Sequence, residues 1–112
     1  MKKLIVFVNN ESVFEYDREI TFDENQLVFL DKMDSDMENG IKIQGKLVTN
    51  PDSQQRSTFV AMNLIKGLQQ DNQAVISSSS AYLCHRNPAL IEVHANDKDS
   101  SVNIELVYEQ EN

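Results

Sequence analysis

Leu4-Ile5-Val6-Phe7-Val8 is an unbroken run of β-branched and aromatic residues, apolar at every position. A run this short and doubly apolar predicts an interior strand covered on both faces. Asn9-Asn10-Glu11 follows, and Asn tolerates the positive φ that tight hairpin turns require. Val13-Phe14-Glu15-Tyr16 resumes the apolar pattern. The start of the chain therefore predicts a hairpin, with strands near 3–8 and 12–17.

The period then changes. Thr21-Phe22-Asp23-Glu24 has the form of a capping box, in which a hydroxyl and a carboxylate satisfy each other's backbone N–H groups. Leu27, Leu30, Met33, Met37 and Ile41 recur at three- and four-residue steps, with Phe29 broadening the stripe. This predicts an amphipathic helix over 22–38, stopped by Asn39-Gly40. In Ile41 to Val48 an alternation begins, but Gly45 interrupts it, and the segment reads as a connector.

Asn50-Pro51-Asp52 supplies a cap residue, a proline at the first helical position and an acid in the first turn. Val60, Ala61, Leu64, Ile65 and Leu68 form the apolar face of a second helix over 51–70, flanked by Phe59 and Met62. Asp71-Asn72 both stops it and caps the next. The serine run Ser77 to Ser80 has poor helix propensity. Yet Val75, Ser79, Tyr82 and Arg86 fall at helical spacing, as do Ile76, Ser80 and Leu83, and small buried residues let helices approach closely. A third helix over 73–86, ended by Asn87-Pro88, is the expectation.

The tail returns to period two. Residues 89–95 form one expected strand, Asn96 to Ser100 a turn, and 101–109 another strand. In the last of these, Val102, Ile104, Leu106 and Tyr108 alternate with Asn103, Glu105, Val107 and Glu109, which marks one buried face. Strands at both ends and helices between them predict an α+β fold. Its four-stranded antiparallel sheet comes from an N-terminal hairpin plus a C-terminal hairpin, with three central helices packed on one face. Leu4, Val6 and Val8 then point to one side of the first strand, Ile5 and Phe7 to the other. Helices cover one side only. The second side is expected to be covered by a second copy in an isologous homodimer, or by the 41–48 connector folded across it.

At 112 residues the chain is expected to be one domain, 1–112. Its charge of −8 and pI near 4.6 oppose nucleic acid and anionic membrane surfaces as partners, since both are bound through clustered Lys and Arg. Lys2, Lys3 and the following apolar run imitate a signal peptide, but five apolar residues fall short of the about 7–15 such a segment needs. No run approaches the roughly 18 apolar residues of a membrane span. One cysteine, Cys84, excludes an internal disulfide and fits a reducing compartment. A cytoplasmic protein is expected.

Candidate chemistry is sparse. Cys84, His85 and His94 are the soft ligands, but adjacent residues on a helix diverge by about 100° and the paired zinc spacings are missing. A Cys84–His94 nucleophile pair requires the third helix to pack over the C-terminal strands. Asp31, Asp34, Asp36 and Glu38 invite a calcium loop. Counting from Asp34, however, position six is Asn39 instead of Gly, and position twelve is Gly45 instead of Glu. The acids read instead as a solvated helix face. They oppose the helix dipole near its C-terminus, which suggests charges held for a basic partner. Gly40, Gly45 and Gly67 form no phosphate-binding pattern. No catalytic, cofactor-binding or metal-binding residue is therefore assigned, and no cofactor is expected. The leading expectation is a small acidic cytosolic protein–protein interaction or regulatory module, non-enzymatic, with an unidentified protein partner. The alternative is a small enzyme or ligand-binding domain whose site lies between the third helix and the C-terminal sheet, using Tyr82, Cys84, His85, Arg86 and His94.

Overall fold

A computed structural model describes residues 3–17, 24–43, 45–98 and 101–109. The order is β1 (Lys3–Val8), β2 (Glu11–Asp17), α1 (Glu24–Glu38), β3 (Ile41–Ile43), β4 (Lys46–Val48), α2 (Ser53–Gln70), α3 (Gln73–Arg86), β5 (Leu90–Lys98) and β6 (Ser101–Tyr108). The architecture is α+β, with three helices and a four-stranded sheet in the order β2-β1-β5-β6. The Thr21 capping box lies outside the described residues.

The doubly apolar β1 is central, as its composition predicts. Asn9 and Asn10 both adopt positive φ, 51° and 70°, and close the β1–β2 hairpin as a two-residue turn. Asn9 also fastens this turn to β5. Its backbone N–H donates to the Ala95 carbonyl at 2.8 Å, and its side-chain oxygen accepts from the Asp97 N–H at 2.9 Å.

Two expectations are corrected here. The sheet is mixed rather than wholly antiparallel, because β1 and β5 run parallel, with Val6 beside Val93 and Phe7 beside His94. A parallel neighbour needs a long crossover, and the whole helical segment supplies it. Hydrophobic periodicity carries no information on strand direction, so the pattern could not distinguish the two. The 41–48 segment is not a plain connector but a second, two-stranded sheet, with Ile41 opposite Val48 and Ile43 opposite Lys46. Gly45 sits in its turn at φ 80°, where a Cβ would be strained. This hairpin packs on α2 and buries Ile41, so it is not available as the expected strap over the second sheet face.

Smaller shifts have local causes. Helix α2 starts at Ser53, with Asp52 rather than Asn50 as its cap. The Gln55 N–H donates to Asp52 Oδ1 at 2.8 Å, and the Asp52 N–H donates back to Gln55 Oε1 at 2.9 Å. An Asn50 cap would place Ser53 at the reciprocal position, too short to reach back. Asn50 itself takes a left-handed turn at φ 47°. β5 runs on to Lys98, through residues expected to form the turn. On α1, Leu30 and Met37 are buried, but Phe29 is exposed and does not broaden the stripe.

The core lies between the helices and one face of the sheet. Leu4, Val6 and Val93 from the sheet meet Leu30, Val60, Leu64 and Leu83 from the helices, all 1% exposed or less. Val102, Ile104, Leu106 and Tyr108 pack against the same cluster, as the alternation predicts. The serine run is helical, and Ser79 and Ser80 are buried. Asp71, left-handed at φ 54°, ends α2, and the Asn72 side chain caps α3. The two helices come close: a Cβ added to Gly67 would stand 2.9 Å from Val75 Cγ1.

Candidate functional site: a three-helix cleft and an open sheet face

The five polar groups expected to converge do not. Cys84 is buried on α3, close enough to Tyr16 of β2 that, after burial, its charge is the next largest influence raising the tyrosine pKa. His85, the next residue along, is exposed. His94 lies on the opposite face of the sheet, because its neighbours Val93 and Ala95 point into the core. No site forms there between α3 and the C-terminal strands from this set. Tyr82 and Arg86, one helical turn apart on α3, do meet, but on the side of α3 that faces α1 and the start of α2.

Their meeting point is Asp34. Asp34 Oδ1 accepts from the Tyr82 hydroxyl and from Arg56 Nη1 at 3.1 Å, and Oδ2 accepts from Arg86 Nε at 3.0 Å. Arg86 Nη2 donates onward to Asp31 at 2.6 Å. Arg56 Nε donates to the Pro51 carbonyl at 3.0 Å, which fixes the guanidinium at the N-terminal turn of α2. The Asp34 side chain retains only 24% of its exposure. Asp34 is therefore not part of a solvated acidic face, as the sequence suggests. The basic partner that offsets its position near the end of α1 lies inside the same chain.

Protonation follows from this geometry. Burial alone would raise the Asp34 pKa. Hydrogen bonds from Tyr82 and Arg56, with the charges of Arg86 and Arg56, overcome that and hold the carboxyl below its ordinary value. Burial and the adjacent carboxylate both push the Tyr82 hydroxyl upward. The two groups are driven apart, away from neutrality, so neither is poised to exchange a proton at pH 7. Around them lies a cleft of about 360 Å³ lined by Asp34, Pro51, Ser53, Arg56, Tyr82 and Arg86.

Sequence reasoning missed this cluster because its members come from three helices. The available signals were the shared face of Asp31 and Asp34, the four-residue spacing of Tyr82 and Arg86, and Arg56 in the first turn of a helix, where a cation is disfavoured.

The second feature is the sheet face turned away from the helices. Ile5 and Phe7 lie side by side on β1, half-buried and outside the core cluster. Glu15 and Glu92 flank Ile5 on the neighbouring strands, and Val107 lies beyond Glu92. Phe7 stacks on His94 with ring centroids 4.5 Å apart and planes 8° from parallel. His94 Nε2 in turn lies 2.7 Å from Glu92 Oε1, and Glu105 stands across from His94 on β6. No described helix is long and apolar enough to cross a membrane. Comparison with protein-family models, with curated proteins and with solved structures finds no match.

Proposed function

We propose that the chain is a cytoplasmic, non-enzymatic protein-binding module that docks its partner on the open face of the sheet. The observation that carries this reading is the arrangement of Ile5, Phe7 and Val107 outside the core, with Glu15, Glu92 and Glu105 on the strands around them. An apolar centre with a charged rim is the usual anatomy of a specific interface. Lys3 lies on the same face and pairs with Glu15 at 3.5 Å. Three carboxylates against one lysine leave the rim acidic, so the partner it fits presents an apolar side chain flanked by Lys or Arg.

Self-association through the same face, the expectation drawn from the sequence, would bring the carboxylates of two identical rims together. A basic partner avoids that repulsion, and for this reason we place it ahead of a homodimer.

The test compares capture of partners by the wild-type chain, Phe7→Ala and Glu105→Lys, each first checked for an unchanged circular dichroism spectrum. A partner held by wild type, weakened by both substitutions and released by added salt supports the reading. Retention of the same partner by both variants overturns it. Light scattering on the purified chain addresses the homodimer: a mass near 12.8 kDa is expected, and twice that value would transfer the face to a second copy.

A further inference from the structure

The three-helix cleft has donors left over. A guanidinium carries five N–H donors in a rigid fork. Arg56 uses its Nε on Pro51 and Nη1 on Asp34, and Arg86 uses its Nε on Asp34 and Nη2 on Asp31. Arg56 Nη2 and Arg86 Nη1 have no hydrogen-bond partner among the described residues. Asp34 therefore acts as a post that holds two cations beside one another and leaves the outer edge of each fork unused.

The lining is also electropositive in an acidic protein. Two guanidiniums and one carboxylate face the cleft, a net charge of +1, whereas the whole chain carries −8. Asp31, the second carboxylate on Arg86, holds Arg86 Nη2 at 2.6 Å from outside the cleft, and its side chain is 73% exposed. Ser53 adds a hydroxyl at the first position of α2, where the N–H groups of Ser53 and Gln54 precede the first intrahelical bond, from Arg56 to Asp52. The positive end of the helix dipole adds to the two arginines, with the Asp52 carboxylate already capping it through the Gln55 N–H.

We propose that this cleft binds a small oxyanion, a phosphate or carboxylate group, between the free edges of Arg56 and Arg86 with Ser53 as a third donor. Its volume of about 360 Å³ is at the small end of the usual range for ligand sites, roughly 300–1,000 Å³, and suits a compact ligand. Asp34 is a positioning residue in this arrangement. It lies beneath the anion and prevents the two guanidiniums from repelling each other apart. The site is separate from the open sheet face and does not depend on the protein-binding reading.

The test is an NMR titration of the arginine Nε–Hε signals with inorganic phosphate and, separately, with acetate, at ionic strength held constant with sodium chloride. Saturable shifts of Arg56 and Arg86 are expected, with a Kd of about 1 mM or tighter. Saturation by phosphate alone assigns a phosphoryl ligand. Saturation by acetate alone assigns a carboxylate, and saturation by both assigns the shared oxyanion chemistry. Ser53→Glu places a negative charge in the cleft, yet sits where an acid favours the helix, so the fold is retained. It is expected to weaken binding at least about tenfold, and Arg56→Gln is expected to do the same. Shifts that do not saturate with either anion, or saturation equally strong in Ser53→Glu, overturn the proposal.

Discussion

The two faces of the four-stranded sheet share the same strands and differ in what they ask of them. Toward the helices, Leu4, Val6, Val93 and Ala95 are all but inaccessible and belong to one hydrophobic cluster. Toward the outside, the residues between them, Ile5, Phe7, Glu92 and His94, are half-buried and chemically mixed. The alternation of side chains along a strand makes these faces independent, so one can be selected for packing while the other is selected for contact. β1 is exceptional because it is apolar on both faces. That is why its outward residues, rather than those of β6, mark the surface where binding is proposed.

The largest expected effect tests that independence directly. Leu4→Ala should cost about 2–5 kcal/mol, since it removes a fully buried side chain from a packed core. Ile5→Ala, one residue along, should cost about 1 kcal/mol or less. Urea titrations with unchanged m-values measure both. Equal losses would mean that the outer face is covered in solution, and the comparison between the faces would fail.

A smaller effect is expected at Asp34, where the helical layer is held by charge rather than by apolar contact. Asp34→Asn leaves an acceptor but removes the charge facing Arg56 and Arg86. It should cost about 1–3 kcal/mol at pH 7, less than a fully buried pair because the cluster is partly solvated. The pH dependence has a definite sign. The folded pKa of Asp34 lies below its ordinary value of 3.8, so the native state binds fewer protons than the unfolded chain as pH falls through that region. The stability contributed by Asp34 is complete above pH 3.8 and is lost as pH falls through the lower, folded value. The gap between wild type and Asp34→Asn should accordingly narrow on acidification below about pH 4, and denaturation series across that range check it. A gap that stays constant would show that the carboxylate's charge is not what binds the helices.

What the sequence made legible follows the same division. Residues whose role is set by period are read well. The apolar β1 is central, α2 and α3 meet at Asp71-Asn72, and the serine run is helical because Ile76, Ser80 and Leu83 keep their spacing. Relations between distant segments are not carried by period. The parallel pairing of Val6 with Val93 depends on where a long crossover lands. Strands of three residues, as in β3 and β4, are too short for alternation to register, so Gly45 looks like an interruption in the sequence where it is a turn. Asp34 was visible as one of four acids, but Arg56, Tyr82 and Arg86 are 22 to 52 residues away. Only the unfavourable placement of acids at one helix end and a cation at another helix start hinted that each had a partner.

The smallest expected effect concerns two serines within the helical layer. Ser57 Oγ accepts from Asn87 Nδ2 at 2.8 Å and donates to the Ser53 carbonyl at 2.9 Å, so it joins the end of α3 to the start of α2. Ser80 Oγ is equally buried and, among the described residues, is the buried side-chain polar atom without a hydrogen-bond partner. A desolvated hydroxyl that makes no bond is a net cost, and alanine is also the better helix former. Ser80→Ala should therefore raise stability by about 0.5–1 kcal/mol, whereas Ser57→Ala should lower it by about 1 kcal/mol because it removes the Asn87 Nδ2 hydrogen bond and the one to the Ser53 carbonyl. Both substitutions remove a single oxygen atom from a buried helix position, so differences in volume do not separate them. A loss of stability in Ser80→Ala as large as that in Ser57→Ala would show that the Ser80 hydroxyl is bonded in solution, and the close approach of α2 and α3 would then rest on polar contacts as well as on small residues.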